Sequence, residues 1–210
     1  MSVHQSFFSL RASRDDGIRY IYRRHDPEVN KLAILFPGQS YPVHAPLFWY
    51  LSELALLEGY DVLGLEYGFQ RMHHTLQSVE SLASEVQERL EAFLSQHPYR
   101  HISTVAKSLG TVVASQLDAL LGSSDPDAIY LTPLPRAIKA IERAPRMLVV
   151  VGDQDPLFRS DDVEKVEYLP KVELLLVPGA DHALEVPGST TQSIRVLETV
   201  TARCHRFLSR

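Results

Sequence analysis

The sequence predicts an α/β fold: a mostly parallel central sheet that opens with an antiparallel hairpin and carries helices on both faces. Three observations point there. Short β-rich runs alternate with stretches whose apolar residues recur at helical spacing, the pattern of βαβ units. The run KLAILFPG is apolar without interruption until Pro-Gly ends it, as a strand buried on both faces should be. At the start of the chain, SFFSLRAS and IRYIYRR flank Asp15-Asp16-Gly17, a hairpin turn signal.

The remaining elements follow in order. APLFWYLSELALLEG reads as a helix with Pro46 near its start and Gly59 just past its end. YDVLGLEYG is the next strand. From Thr75 to Gln96, residues Val79, Leu82, Ala83, Val86, Leu90, Phe93 and Leu94 recur at helical spacing, with Glu85 and Arg89 placed to pair on the outer face. HISTVAKS is a strand, and LGTVVASQLDALLG a helix closed by Gly122. DAIYLTPL is a shorter strand and RAIKAIERA one short helix. RMLVVVGDQD and KVELLLVPGADH are the last two strands, with SDDVEKVEY as a polar helix between them. From Thr190 a final helix places Ile194, Leu197, Val200, Cys204 and Phe207 on one stripe.

The chain has 210 residues, 45% of them hydrophobic and 22% charged, enough for one sizeable core. A single domain over 1–210 is expected. A formal charge of −5 with no basic block argues against a nucleic acid or an anionic membrane as partner. The lone cysteine, Cys204, cannot close an intramolecular disulfide and is expected to pack as a small apolar residue in a reducing compartment. Neither a signal peptide nor an apolar run long enough to span a bilayer is read, so a cytoplasmic protein is expected.

Three predicted strand ends carry chemistry-capable residues, in the order Ser108, Asp155, His182. The carboxyl ends of parallel strands share one edge of a sheet, so residues distant in sequence can meet there. A serine hydroxyl becomes a strong nucleophile when a histidine takes its proton and a carboxylate steadies the ring. A sharp strand-to-helix turn exposes that hydroxyl and directs the first helical N–H groups at a developing oxyanion. Taken alone, Ser108 also reads as a helix cap, Asp155 as a turn residue and His182 as a surface histidine.

Together these residues resemble the α/β-hydrolase family. Ala106-Lys107-Ser108-Leu109-Gly110 is similar to its nucleophile elbow, with Ala106 where glycine is usual. Gly152-Asp153-Gln154-Asp155 resembles its acid loop and Gly179-Ala180-Asp181-His182 its histidine loop. Phe36-Pro37-Gly38-Gln39 stands where the family supplies a second oxyanion donor, with proline where histidine is frequent. The resemblance implies Ser108 as nucleophile, His182 as base, Asp155 as its orienting acid, and the backbone N–H groups of Gln39 and Leu109 as oxyanion hole. Asp153, Asp161, Asp162 and Asp181 are the rival carboxylates. Asp155 is preferred for its spacing from Gly152 and for Pro156 after it, which favours an extended or turn conformation.

Lys107 is expected to face away from Ser108, and a buried ammonium needs a counter-charge. Glu66 on the same sheet edge is the candidate; the alternative is a stem that reaches solvent. His44, His73 and His74 lack the ligand spacing of a metal site, and no phosphate-binding glycine loop is present, so no metal or cofactor is expected. Between Pro133 and Met147 there is room for one short helix, so the site should lack a cap domain and lie open. Its walls would be the loops after Gly38, Gly68 and Pro133; LFWYL is expected to be helix core, with Tyr41, Phe48 or Trp49 as candidates for the mouth. The reading is a serine esterase for small acyl substrates. Its alternatives are a thioesterase, amidase or acyltransferase with the same triad, or a non-catalytic binding protein on the same fold.

Overall fold

A computed structural model describes residues 2–8, 17–71, 75–121 and 127–209, without the side chains of residues 5–8, 118 and 119. Its eight strands are β1 (Ser2–Phe8), β2 (Arg19–Asp26), β3 (Lys31–Phe36), β4 (Asp61–Glu66), β5 (His101–Lys107), β6 (Asp127–Leu131), β7 (Arg146–Gly152) and β8 (Val172–Val177). They form one sheet in the order β1-β2-β4-β3-β5-β6-β7-β8. β2 runs antiparallel to both its neighbours, and every pairing from β4 to β8 is parallel. β1 begins four residues before SFFSLRAS; the predicted turn residues Asp15 and Asp16 lie outside the described residues, as does Gly122.

Helices cover both faces. On one lie α1 (Pro46–Leu57) and α8 (Thr190–Leu208), packed against Ala33, Leu35, Val105, Ile129 and Val150. On the other, α3 (Val79–Gln96), α4 (Leu109–Ser115), α6 (Ile138–Arg143) and α7 (Ser160–Glu167) meet Ile34, Phe36, Ala106, Tyr130 and Val149. Successive residues of a strand point to opposite faces, so a strand covered on both must be apolar throughout. The shorter helices are α2 (Gly68–Arg71) and α5 (Asp118–Leu121).

Local chemistry explains the departures from expectation. α3 starts at Val79 instead of near Thr75 because the Ser78 hydroxyl accepts the Ser81 N–H at 2.9 Å, an N-cap. The helix predicted over 109–122 is divided after Ser115. There the Ser115 hydroxyl donates to the Val112 carbonyl, and Gln116 and Leu117 donate three residues back instead of four. On α8 the buried stripe is Val196, Val200, Cys204, Phe207 and Leu208, while Ile194 is 62% exposed. Glu85 does not serve an outer-face pair; its carboxylate accepts the backbone N–H of Ile18. Cys204 is fully buried, as expected, and burial pushes its thiol up to about 12. No helix among the described residues is long and apolar enough to cross a membrane.

Candidate active site

Ser108 sits between the last residue of β5 and the first of α4, with φ 49° and ψ −117°. A non-glycine residue with positive φ is strained by roughly 1–3 kcal/mol and persists only where its surroundings over-determine it. Here the Ser108 N–H donates to the Leu131 carbonyl at 3.0 Å, and the Ser108 carbonyl accepts both the N–H and the hydroxyl of Thr111. The neighbours must be small. A Cβ on Gly110 would lie 2.1 Å from the Phe36 carbonyl oxygen, and one on Gly38 would lie 3.3 Å from the Ser108 Cβ. Ala106, the elbow's other small residue, is fully buried.

The acid comes from the loop after β7. Asp155 is buried; its Oδ1 accepts the Leu157 N–H at 2.8 Å, which is the first donor available because Pro156 has none. Its Oδ2 lies 2.8 Å from His182 Nδ1. The rival carboxylates are occupied otherwise. Asp153 accepts the Gly179 N–H, Asp162 pairs with Lys165, Asp161 is exposed in the first turn of α7, and Asp181 accepts the N–H groups of Ala183 and Glu185. Gly152 is required for close approach of the two loops, since a Cβ there would lie 2.1 Å from the Ala180 carbonyl oxygen.

His182 bridges the other two, with Nε2 at 2.8 Å from Ser108 Oγ. An ionised carboxylate only accepts, so Nδ1 carries the proton toward Asp155 and Nε2 is left to accept from the serine hydroxyl. The tautomer that a proton-accepting histidine needs is thereby set by its partner. Leu109 is the first residue of α4, so its N–H has no acceptor within the helix. Gln39 follows Gly38, which packs against Ser108.

Gln70, on α2, escaped the sequence reading. Its side-chain amide donates to the carbonyls of Gly38 and Gln39 at 2.5 and 3.0 Å. With both carbonyls held on the α2 side, the loop's orientation beside Ser108 is fixed. No local pattern announces this contact, because the partners lie 31 and 32 residues away. Gln70→Leu is expected to lower kcat by about tenfold with little change in KM, a part of what loss of a whole oxyanion donor costs. Steady-state kinetics on the substrate proposed below check it; an unchanged kcat removes Gln70 from the site.

A cleft of about 700 Å³ starts at Gln39 and runs between the loop after Gly38 and α2, past Val43, Glu66 and Phe69. It borders two of the three expected wall loops, and neither Ser108 nor His182 is among the residues that line it. The loop at Pro133 instead lies against α4, where the Leu134 N–H donates to Thr111 Oγ1. Of the candidates for the mouth, Phe48 is fully buried in the core, and Trp49 is exposed with the Arg23 guanidinium 5.9 Å from its ring. Tyr41 lines a second groove, beyond the histidine loop. His44 faces Glu66 at 4.0 Å; His73 and His74 lie outside the described residues. Among the described residues no cluster of metal-ligating side chains occurs.

Lys107 corrects an expectation. It is 2% exposed, and its ammonium donates to Thr132 Oγ1 at 2.8 Å and to the His182 carbonyl at 2.9 Å, not to Glu66. Strand order is the reason. β3 lies between β4 and β5, which puts Glu66 two strand spacings away, roughly 10 Å, whereas β6 is the direct neighbour. Burial pushes the ammonium down to about 8, against the pull of Asp155, Asp181 and Glu185.

The sheet order, the serine on a strand-to-helix turn and the single short helical stretch between β6 and β7 define the α/β-hydrolase fold in its lidless form. No family model and no curated protein sequence matches the chain. Solved structures do match. An α/β serine hydrolase homologue from Coxiella burnetii is 13% identical with a TM-score of 0.71, over 97% of this chain and 96% of that one. An esterase from Pyrococcus furiosus is 16% identical with a TM-score of 0.70, over 100% and 92%. An α/β serine hydrolase without a lid from Xanthomonas campestris is 15% identical with a TM-score of 0.70, over 97% and 93%. At such identities the likeness is one of fold.

Proposed function

We propose that the chain is a serine hydrolase that cleaves small carboxylic esters through an acyl-enzyme. One observation carries the reading: the His182 imidazole lies between Ser108 and Asp155 with 2.8 Å to each. Ser108 Oγ attacks the ester carbonyl while its proton passes to His182 Nε2, and Asp155 offsets the charge of the imidazolium. The oxyanion is received by the N–H groups of Leu109 and Gln39. The imidazolium then protonates the leaving alcohol. A water, deprotonated by the neutral ring, attacks the acyl carbon and releases the acid and Ser108. The named activities of the esterase and serine hydrolases that share the fold support this reading.

The cleft at Gln39 suits a small soluble acyl substrate, since its volume falls within the range of sites for such molecules. A thioester, an amide or acyl transfer to another alcohol would use the same groups. The single cysteine fits a reducing, cytoplasmic setting. A fluorophosphonate probe tests the proposal. The wild-type protein is expected to be labelled at Ser108 and Ser108→Ala to remain unlabelled. A folded wild type that takes no label returns the chain to the class of binding proteins on this fold. Parallel assays of an acyl ester, thioester and anilide assign the bond cleaved.

A further inference from the structure

An ammonium with almost no exposure is an expensive way to satisfy two neutral acceptors. Removing such a charge from water is costly, and an apolar side chain of similar volume often serves stability as well or better. Among the described residues no carboxylate pairs directly with Lys107. Its partners are a hydroxyl, a backbone carbonyl and the ring of Tyr41, whose centroid lies 5.2 Å away.

Those partners belong to three separate segments around Ser108. Thr132 is the first residue after β6 and has φ 43°, an uncommon conformation for a β-branched residue. The hydrogen bond from Lys107 anchors its side chain there. Tyr41 accepts the Gly38 N–H through its carbonyl and so belongs to the loop that carries Gln39. The third partner is the backbone of His182 itself. The histidine loop also carries two residues of positive φ, Gly179 at 73° and Leu184 at 63°, on either side of His182. It is tied to the β7 side by Asp153 and Gln154, and to the β5 side by Lys107.

We propose that Lys107 is a positioning residue: its ammonium clamps the His182 backbone to the ends of β5 and β6 and so holds the imidazole in line between Ser108 and Asp155. The kinetic part of this rests on the serine hydrolase reading; the placement of the ring does not. The side chain next to the nucleophile thus acts beneath the site, through the loop opposite.

Lys107→Met keeps the length and bulk of the side chain and removes every donor. A long-range proton–nitrogen spectrum of the histidine rings, with His182 assigned by its absence in His182→Gln, reads the ring directly. In the wild type the ring should be a single Nδ1–H tautomer. In folded Lys107→Met its signals should broaden or average between tautomers. kcat should fall between about tenfold and a hundredfold with KM nearly unchanged, the scale of a small misplacement of a reacting group. Lys107→Gln, which keeps N–H donors on a neutral amide one atom shorter, should fall between wild type and Lys107→Met in both readings, and it decides the matter if the methionine variant does not fold. A folded variant without the ammonium whose ring spectrum matches the wild type overturns the proposal. If the wild type shows no turnover and takes no fluorophosphonate, the hydrolase reading fails while the spectrum still decides the clamp.

Discussion

Ser108→Ala is expected to lower kcat for ester hydrolysis by about a millionfold and to leave the protein folded. In the proposed mechanism Ser108, His182 and Asp155 act as a unit, so losing the nucleophile or the base removes nearly all the chemistry, and losing both costs little more. His182→Ala should therefore resemble Ser108→Ala, and the double variant should resemble either one. Asp155→Asn should fall by about ten-thousandfold, because an amide nitrogen facing Nδ1 favours the wrong tautomer. Stability should respond differently from activity. Alanine keeps the Cβ that makes φ 49° costly, so Ser108→Ala should unfold close to the wild-type midpoint. Ser108→Gly relieves that strain and should be more stable by about 1 kcal/mol. Steady-state rates and thermal melts of these variants are the measurements. Substantial turnover by Ser108→Ala removes Ser108 as nucleophile.

Gly110→Ala is expected to be strongly destabilising. Its Cβ would stand 2.1 Å from the Phe36 carbonyl oxygen, 2.7 Å from the Phe36 carbonyl carbon and 2.7 Å from the Pro37 carbonyl oxygen. All three are backbone atoms at the end of a central strand, so none can turn aside as a side chain would. Either α4 moves off the sheet, which displaces Ser108, or the end of β3 moves, which displaces Gly38 and Gln39. A loss of at least about 3 kcal/mol is expected, or roughly 10 °C in the melting midpoint at this chain length. Gly59→Ala is the control. Gly59 has φ +77° and nothing within 4 Å of a would-be Cβ, so only the left-handed backbone is penalised, by about 1 kcal/mol. If Gly110→Ala melts no lower than Gly59→Ala, the close approach of α4 to β3 is not a constraint on this fold.

Much of this site could be read before any coordinates. A residue that ends a buried strand and opens a helix is marked by its own neighbours: apolar residues before Ser108, small Ala106 and Gly110 around it, a helical pattern after it. The same holds for Asp155 after RMLVVVG and for His182 after KVELLLV. Parallel strands then bring these ends to one edge wherever each strand lies, which is why the triad residues were legible without the strand order. Spacing from Gly152, with Pro156 following, favoured Asp155 over Asp153. The structure separates them through Gly179, whose N–H occupies Asp153 and leaves Asp155 to face the ring.

Sequence by itself determined most of the strands and helices, that most strands are buried on both faces, and which three side chains meet. These properties depend on periodicity and on turn chemistry within a few residues. Tertiary structure alone decided what depends on lateral order. Glu66 and Lys107 sit on strands consecutive along the chain, yet β3 is inserted between them, and the ammonium turns to Thr132 and the His182 backbone. Gln70 reaches the Gly38 loop for the same reason, through a contact with no local signature. On α8 the helical period admits adjacent phases, and packing against the sheet selected Val196 over Ile194 for the core. Hydrogen bonds and charges act over a few ångströms in space, and only the folded arrangement of strands fixes which residues come that close.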